Sequence, residues 1–202
     1  RENDLLNKHL DFGAYLVPQN QQREELGTDL YKGGRVRPDI GGVQPAELHL
    51  GIYQRALEAG VKVIDQCEIT NISKVKECFT LAWATGSIAT GECVVATNGY
   101  TDKVTDWLRR RIIPIPSQII ATEELPPELM DRLMPKRRMV GDSRNLYNYY
   151  RPSPDGKRIV FGGRRGAHTD DDMQKCLHLY QNLVEIFPEL EGVRLSHTWW
   201  GY

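Results

Sequence analysis

Ala96-Thr97-Asn98-Gly99 follow the apolar run Cys93-Val94-Val95 and bring small side chains to the end of an expected strand. Small residues let backbone approach a bound nucleotide where a β-carbon would clash. An ordinary strand-to-helix turn, which Asn-Gly commonly makes, is the competing reading. Tyr149, Arg151 and Arg164 are the other residues of interest. An arginine's planar donors match two carboxylate oxygens, so either arginine suits a carboxylate clamp. A strand tyrosine is more often core, and a strand arginine more often a solvated exit. Tyr147 and Tyr149 share a strand face by parity, which Arg151 joins only if the strand stays regular. His49, His168, His178 and His197 have no metal-ligand spacing, and no metal site is expected. Glu123 and Glu124 are adjacent strand carboxylates that point to opposite faces, so they do not form an acid/base pair. Trp199-Trp200 suits an aromatic cage for an amine or, as the plainer reading, a core strand.

The elements that position these residues follow from periodicity. Residues 1–16 read as a helix leading into a strand or loop, and Tyr31–Arg37 as a strand before the turn-rich Pro38–Gly42. Pro45 starts a helix whose apolar residues Leu48, Ile52, Tyr53 and Ala56 recur until Gly60. Val61–Ile64 is a short strand directly after it, which makes an α/β unit. Three further strands run near Ile69–Val75, Phe79–Trp83 and Ile88–Ala89, with a turn at Thr85-Gly86-Ser87. Cys93–Ala96 has the unbroken apolar character of a strand buried on both faces. A short helix over Asp102–Arg110 and a long strand over 112–122 follow.

Pro126–Leu129 opens a helical turn. Arg138–Asp142, Leu146–Arg151 and Arg158–Gly163 then read as successive antiparallel strands, with a Pro154-Asp155-Gly156 hairpin turn. Thr169–Asp172 forms an N-cap and acidic first turn. The helix it opens buries Met173, Cys176, Leu177, Tyr180, Leu183, Val184 and Phe187, and Pro188 stops it. Thr198–Tyr202 is strand-like.

The 202 residues are 40% hydrophobic and 26% charged with net charge −1, an ordinary profile that offers nucleic acid no basic face. No apolar run approaches the roughly 20 residues that span a bilayer. The cysteines Cys67, Cys78, Cys93 and Cys176 lack Cys-x-x-Cys spacing, which suits free thiols in a reducing, cytoplasmic setting.

Several segments, taken in order, carry a family resemblance. They are Gly41–Leu48, Gly60–Ile64, Cys93–Tyr100, Ile113–Thr122, Tyr149–Gly156 and Ile159–Arg164. Together they resemble the FAD-dependent oxidoreductases of the D-amino-acid oxidase superfamily, in the branch of glycine and sarcosine oxidases and γ-glutamylputrescine oxidase-like enzymes. That resemblance implies an α+β / α/β fold: a mixed antiparallel substrate-domain sheet with helices, plus part of a Rossmann-like FAD-binding domain. It places the partial FAD-binding domain at 36–111 and the substrate-binding domain at 1–35 and 112–202. It implies FAD as cofactor and a small amine or amino acid as substrate. Hydride passes from the carbon beside the amine to the flavin, and the resulting imine hydrolyses.

The resemblance also places Ile69 where main chain meets the adenine, and Ala96, Thr97, Asn98 and Gly99 at the second approach to the nucleotide. It sets Tyr149, Arg151 and Arg164 on strands facing the flavin, where they would bind substrate. No Gly-x-Gly-x-x-Gly occurs in these residues. The expectation is therefore an interior fragment that neither holds FAD stably nor turns over alone. Apolar surface is expected around Val94–Tyr100 and Trp199–Tyr202, through which a homodimer could form. The alternatives are a non-catalytic module that binds a ligand or partner, and a flavin dehydrogenase that uses a quinone acceptor.

Overall fold

The computed structural model describes residues 2–10, 12–164 and 172–202. Contacts divide the chain into two compact units: 1–44 with 116–201, and 45–115 with 202.

The first unit begins with α1 (Glu2–Leu10), β1 (Tyr15–Pro18), α2 (Gln22–Glu25) and β2 (Gly33–Val36). The expected helix over 1–16 thus stops at Leu10, and β1 pairs antiparallel with β2.

The second unit opens with α3 (Pro45–Glu58). Its end is closed by Gly60 in the left-handed region, φ +84°. The Gly60 N–H donates to Leu57 O at 2.9 Å and the Val61 N–H to Ala56 O at 3.0 Å. This pair of bonds satisfies carbonyls that the helix end would leave open. A meander follows of β3 (Asn71–Val75), β4 (Cys78–Trp83) and β5 (Gly86–Thr90), and then α4 (Asp106–Arg109).

The remaining elements belong to the first unit. They are β6 (Ser117–Thr122), α5 (Pro127–Leu133), β7 (Val140–Gly141), β8 (Asn148–Pro152), β9 (Ile159–Arg164), α6 (Asp172–Ile186) and β10 (Leu195–Gly201). Five strands form one antiparallel sheet in the order β10-β6-β9-β8-β7. The β8–β9 hairpin turns at Gly156, φ +72°, as Pro-Asp-Gly requires. Strand β6 starts only at Ser117, because Pro114 and Pro116 have no N–H to give a ladder.

Alternation decides which side of this sheet is core. Ile120, Tyr150, Ile159 and Phe161 face α5 and α6 and join Met130, Leu133, Leu179, Leu183, Ile186 and Phe187 in one buried cluster. The buried stripe of α6 differs from the expected one. Leu179 and Ile186 are inside, whereas Leu177 is 49% exposed. At about 100° per residue, Leu177 projects roughly 140° from the centre of the stripe marked by Cys176, Leu179, Leu183 and Ile186. The expected cap at Thr169–Asp171 lies outside the described residues.

The second unit is different. No residue of 45–115 is buried. Val61–Ile64 and Cys93–Ala96, both expected as strands, lie in none. Val94, expected to be covered on both faces, is 89% exposed. An isolated extended segment gains nothing from apolar character alone, because a strand needs a neighbour for its N–H and C=O groups. Among the described residues no helix is long and apolar enough to cross a membrane. All four cysteines are free.

An ion pair ties the N-terminal hairpin to the sheet edge. Arg138 Nε donates to Glu25 Oε2 at 2.5 Å and its Nη2 to the Tyr15 hydroxyl at 2.9 Å. The Arg138 guanidinium holds the Glu25 carboxyl below the usual carboxylate range. Because the folded value is depressed, the stabilisation is complete above the unfolded value and is lost as pH falls through the folded one. In Arg138→Met, urea midpoints should therefore fall less than in the parent chain between about pH 6 and about pH 3. Equal falls would remove this pair as a source of acid sensitivity.

Candidate substrate-binding face

The side of the five-stranded sheet away from α6 carries Ser117, Tyr149, Arg151 and Arg164. Register fixes its members. Tyr149 opposes Gly162 across β8–β9, and Ser117 opposes Arg164 across β6–β9. Gly162 has no side chain to hold Tyr149 off. A β-carbon there would lie 2.3 Å from Tyr149 Cε2, so one edge of the ring takes the space a side chain would need. The Tyr149 hydroxyl hydrogen-bonds Ser117 Oγ, and Ser117 Oγ in turn donates to Gly163 O at 3.4 Å. With the serine proton given to that carbonyl, the phenol donates to the serine and keeps its oxygen lone pairs for a ligand N–H. Tyr147 packs beside Tyr149 with ring centroids 5.9 Å apart. The Arg164 guanidinium lies 5.8 Å from the Tyr147 ring centroid, within cation–π range. Arg164 is exposed, and no carboxylate among the described residues pairs with it.

Tyr149 and Arg164 are therefore brought together, with Tyr147, Ser117 and Gly162. Arg151 is on the same face, opposite Val160, but near the other end of the hairpin. Four residues of strand separate it from Tyr147, about 13 Å. It instead lines a shallow cavity of about 300 Å³ with Arg137 and Met139. Trp199 and Trp200 sit on β10 opposite Ile119 and Gln118, each 46% exposed, so they occupy opposite faces and make no cage together.

The next tyrosine behaves differently. Tyr150 points into the core, stacked on Phe161 at 5.4 Å, with its hydroxyl 3.1 Å from that of Tyr31. Burial pushes both phenols up, Tyr150 strongly, so each stays protonated.

In the second unit, Ile69 is half-buried in the segment leading into β3. Ala96, Thr97 and Asn98 are exposed, and a single 3-10 turn follows over Asn98–Tyr100. Asn98 adopts the left-handed conformation at φ +49°, a region Asn tolerates better than most residues. The Thr97 hydroxyl is 2.7 Å from that of Thr101. Lys103–Thr105 then packs on β3, returning this segment to the strand that Ile69 precedes. Space beside Gly99 is taken by Tyr202, whose Cβ would lie 2.4 Å from an added β-carbon.

Sequence reasoning does not single out Ser117 or Gly162. Their only signal is register across strands distant in the chain, which no local pattern reveals.

The family description "DAO: FAD dependent oxidoreductase" matches residues 3–202. The chain belongs to this family of FAD-dependent oxidoreductases. This DAO-family chain is 28% identical over 212 residues to "Probable oxidoreductase OrdL" of Haemophilus influenzae, covering 100% of the chain and 48% of that protein. It is 31% identical over 198 residues to "Gamma-glutamylputrescine oxidoreductase" of Escherichia coli, covering 96% of the chain and 45% of that protein. It thus spans about half the length of the curated relatives it matches. Among solved structures, glycine oxidase from Bacillus cereus superposes with TM-score 0.78 at 18% identity, over 99% of this chain and 55% of that one. L-Proline dehydrogenase from P. horikoshii superposes with TM-score 0.72 at 20% identity, over 98% and 54%. At these identities the likeness is one of fold. The family resemblance and the fold class read from the DAO-family sequence both hold.

Proposed function

We propose that this chain is part of an FAD-dependent oxidoreductase that oxidises a C–N bond of an amine or amino acid. In this reading residues 36–111 belong to the FAD-binding domain, and 1–35 with 112–202, which include the five-stranded sheet, to the substrate domain. The observation that carries it is the open sheet face on which Tyr149, Ser117 and Arg164 converge. The relative named for γ-glutamylputrescine, a carboxylate-bearing amine, supports the substrate class.

Each residue then has a role on that face. The Tyr149 oxygen accepts a hydrogen bond from the substrate amine and fixes its direction. Tyr147 and Tyr149 lend apolar surface beside the amine, and the Arg164 guanidinium near the Tyr147 ring disfavours a second positive charge, which favours the neutral amine needed for oxidation. Arg164 binds a carboxylate remote from the reacting carbon.

For the cofactor, exposed small residues at Ala96 and Thr97 and the left-handed Asn98 suit a nucleotide approached by backbone. Ile69 and Ala96–Gly99 would hold FAD there. When bound, FAD supplies the hydride acceptor, leaving an imine that water hydrolyses. The 202 residues alone should bind no FAD, because no Gly-x-Gly-x-x-Gly phosphate cradle is present.

The test is an absorbance spectrum of a full-length parent before and after anaerobic addition of putrescine derivatives, sarcosine, glycine and D-amino acids. Flavin bands that bleach with one of them are expected. A flavin that no amine reduces overturns the C–N assignment, and a purified 202-residue chain that carries stoichiometric flavin overturns the division of roles.

A further inference from the structure

Register carries the open sheet face beyond Tyr149 and Arg164. Tyr149 opposes Gly162, Gly162 opposes Ile119, and Ile119 opposes Trp199, so one row crosses β8, β9, β6 and β10. Residues paired directly across antiparallel strands share a face, which puts Ile119 and Trp199 on the side that carries Tyr149. The residue before Trp199 points the other way, as alternation requires. The Thr198 hydroxyl lies 3.2 Å from Cys176 Sγ on α6. Trp199 is 46% exposed and Ile119 half-buried, so both present apolar surface to a ligand.

The row has a direction. The Tyr149 hydroxyl meets Ser117 Oγ, and Ser117 lies between Arg164 on β9 and Gly201 on β10. Arg164 is therefore on one side of the phenol oxygen. Ile119 is two residues along β6 from Ser117, about 7 Å, and Trp199 is one strand further, about 5 Å across. Gly201 brings no side chain between Ser117 and Trp199. On the reading that this face binds substrate, we infer that Ile119 and Trp199 form an apolar subsite and that Trp199 selects substrate by length. The subsite takes an aliphatic arm of about four carbons that leaves the amine on the side away from Arg164. Arg164 fixes the carboxylate, the Tyr149 oxygen fixes the nitrogen, and the indole covers the arm. Each methylene removed from water strengthens binding, so a long arm is favoured over a methyl group.

Alkyl carboxylates test the subsite without turnover. Butyrate matches sarcosine with a methylene in place of the nitrogen, and heptanoate extends it by three methylenes. In calorimetric titration of the full-length, flavin-loaded parent, heptanoate should bind at least about tenfold tighter than butyrate. Trp199→Ala should cut that preference to about threefold or less with butyrate unchanged, and Trp199→Phe, which keeps an apolar ring, should retain most of it. Arg164→Ala should weaken both ligands alike. Circular dichroism establishes that each variant is folded, and Ile119→Thr decides in place of Trp199→Ala if the latter is not. A tryptophan that only awaits a packing partner leaves the preference intact in Trp199→Ala. That result overturns the inference, as does a parent with no preference for length. Oxidation is read separately, since N-butylglycine and sarcosine should both bleach the flavin. If neither does while the heptanoate preference holds, the C–N assignment fails and the subsite stands. If heptanoate binding ignores both Arg164→Ala and Trp199→Ala, the ligand lies elsewhere and both the face and the subsite fail.

Discussion

Phe161→Ala is expected to lower the unfolding free energy of the first unit by about 3–5 kcal/mol. The ring is fully buried on β9, opposite Ile120 on one side and Tyr150 on the other. It stacks on Tyr150 at 5.4 Å, and Phe187 from the end of α6 meets the same tyrosine edge-on at 5.7 Å. Removing it deletes the transfer free energy of a large apolar group and leaves a hole. The hole cannot collapse easily, because hydrogen-bonded strands on both sides hold the backbone of β9 in place. Domains of this size keep only about 5–15 kcal/mol, so the variant sits near the edge of folding. Val94→Ala is the matched control, since an 89%-exposed valine should change stability by no more than about 0.5 kcal/mol. Urea unfolding followed by circular dichroism compares the two. A Phe161→Ala loss under about 1 kcal/mol would mean that this cluster is not the core that holds the sheet.

How much of the fold is legible in the sequence depends on whether the signal is local. The hairpin β8–β9 is readable because Pro154-Asp155-Gly156 sits between two runs of strand-forming residues, and Gly156 does adopt the φ the turn needs. Helix α3 is readable from Pro45 at one end and Gly60 at the other, signals that act within a few residues. Cys93–Ala96 misleads for the opposite reason. Its composition suits a buried strand, but burial is a property of neighbours, and none of 45–115 is buried. On α6, two stripes can be drawn through the same leucines. Only packing against the sheet selects Leu179 over Leu177.

The candidate site divides along the same line. Tyr149 and Arg164 are identifiable as residue types on strands, and the parity of Tyr147 with Tyr149 follows from the period of a strand. Whether the two arginines act together does not. That depends on β8–β9 register, which pairs Asn148 with Gly163 and so leaves Tyr147 across from Arg164, with Arg151 at the far end of the face. Ser117 comes from a strand more than 30 residues earlier, and its bond to Tyr149 exists only because β6 docks beside β9.

That register separates the arginines in a functional test. In the flavin-loaded enzyme, under the proposed assignment, Arg164→Ala should raise KM for a carboxylate-bearing amine about tenfold to a hundredfold, with kcat changed less. A charge-assisted arginine–carboxylate contact is worth about 1.5–3 kcal/mol, and each 1.4 kcal/mol is tenfold. Arg151→Ala should change KM by less than about twofold, because its guanidinium starts some 13 Å along the strand. With an amine that lacks the carboxylate, Arg164→Ala and the parent should converge, which distinguishes a clamp from a structural role. Gly162→Val offers an independent route to the same face. The added side chain must displace a ring that would lie 2.3 Å from its β-carbon, which breaks the Tyr149–Ser117 bond without touching either arginine. Its expected signature is a fall in kcat with amines of both kinds, since it removes the acceptor that orients the reacting nitrogen rather than the anchor for the carboxylate. If Arg151→Ala raises KM and Arg164→Ala does not, the substrate lies at the other end of the sheet, by the Arg137–Arg151 cavity, and the assignment fails.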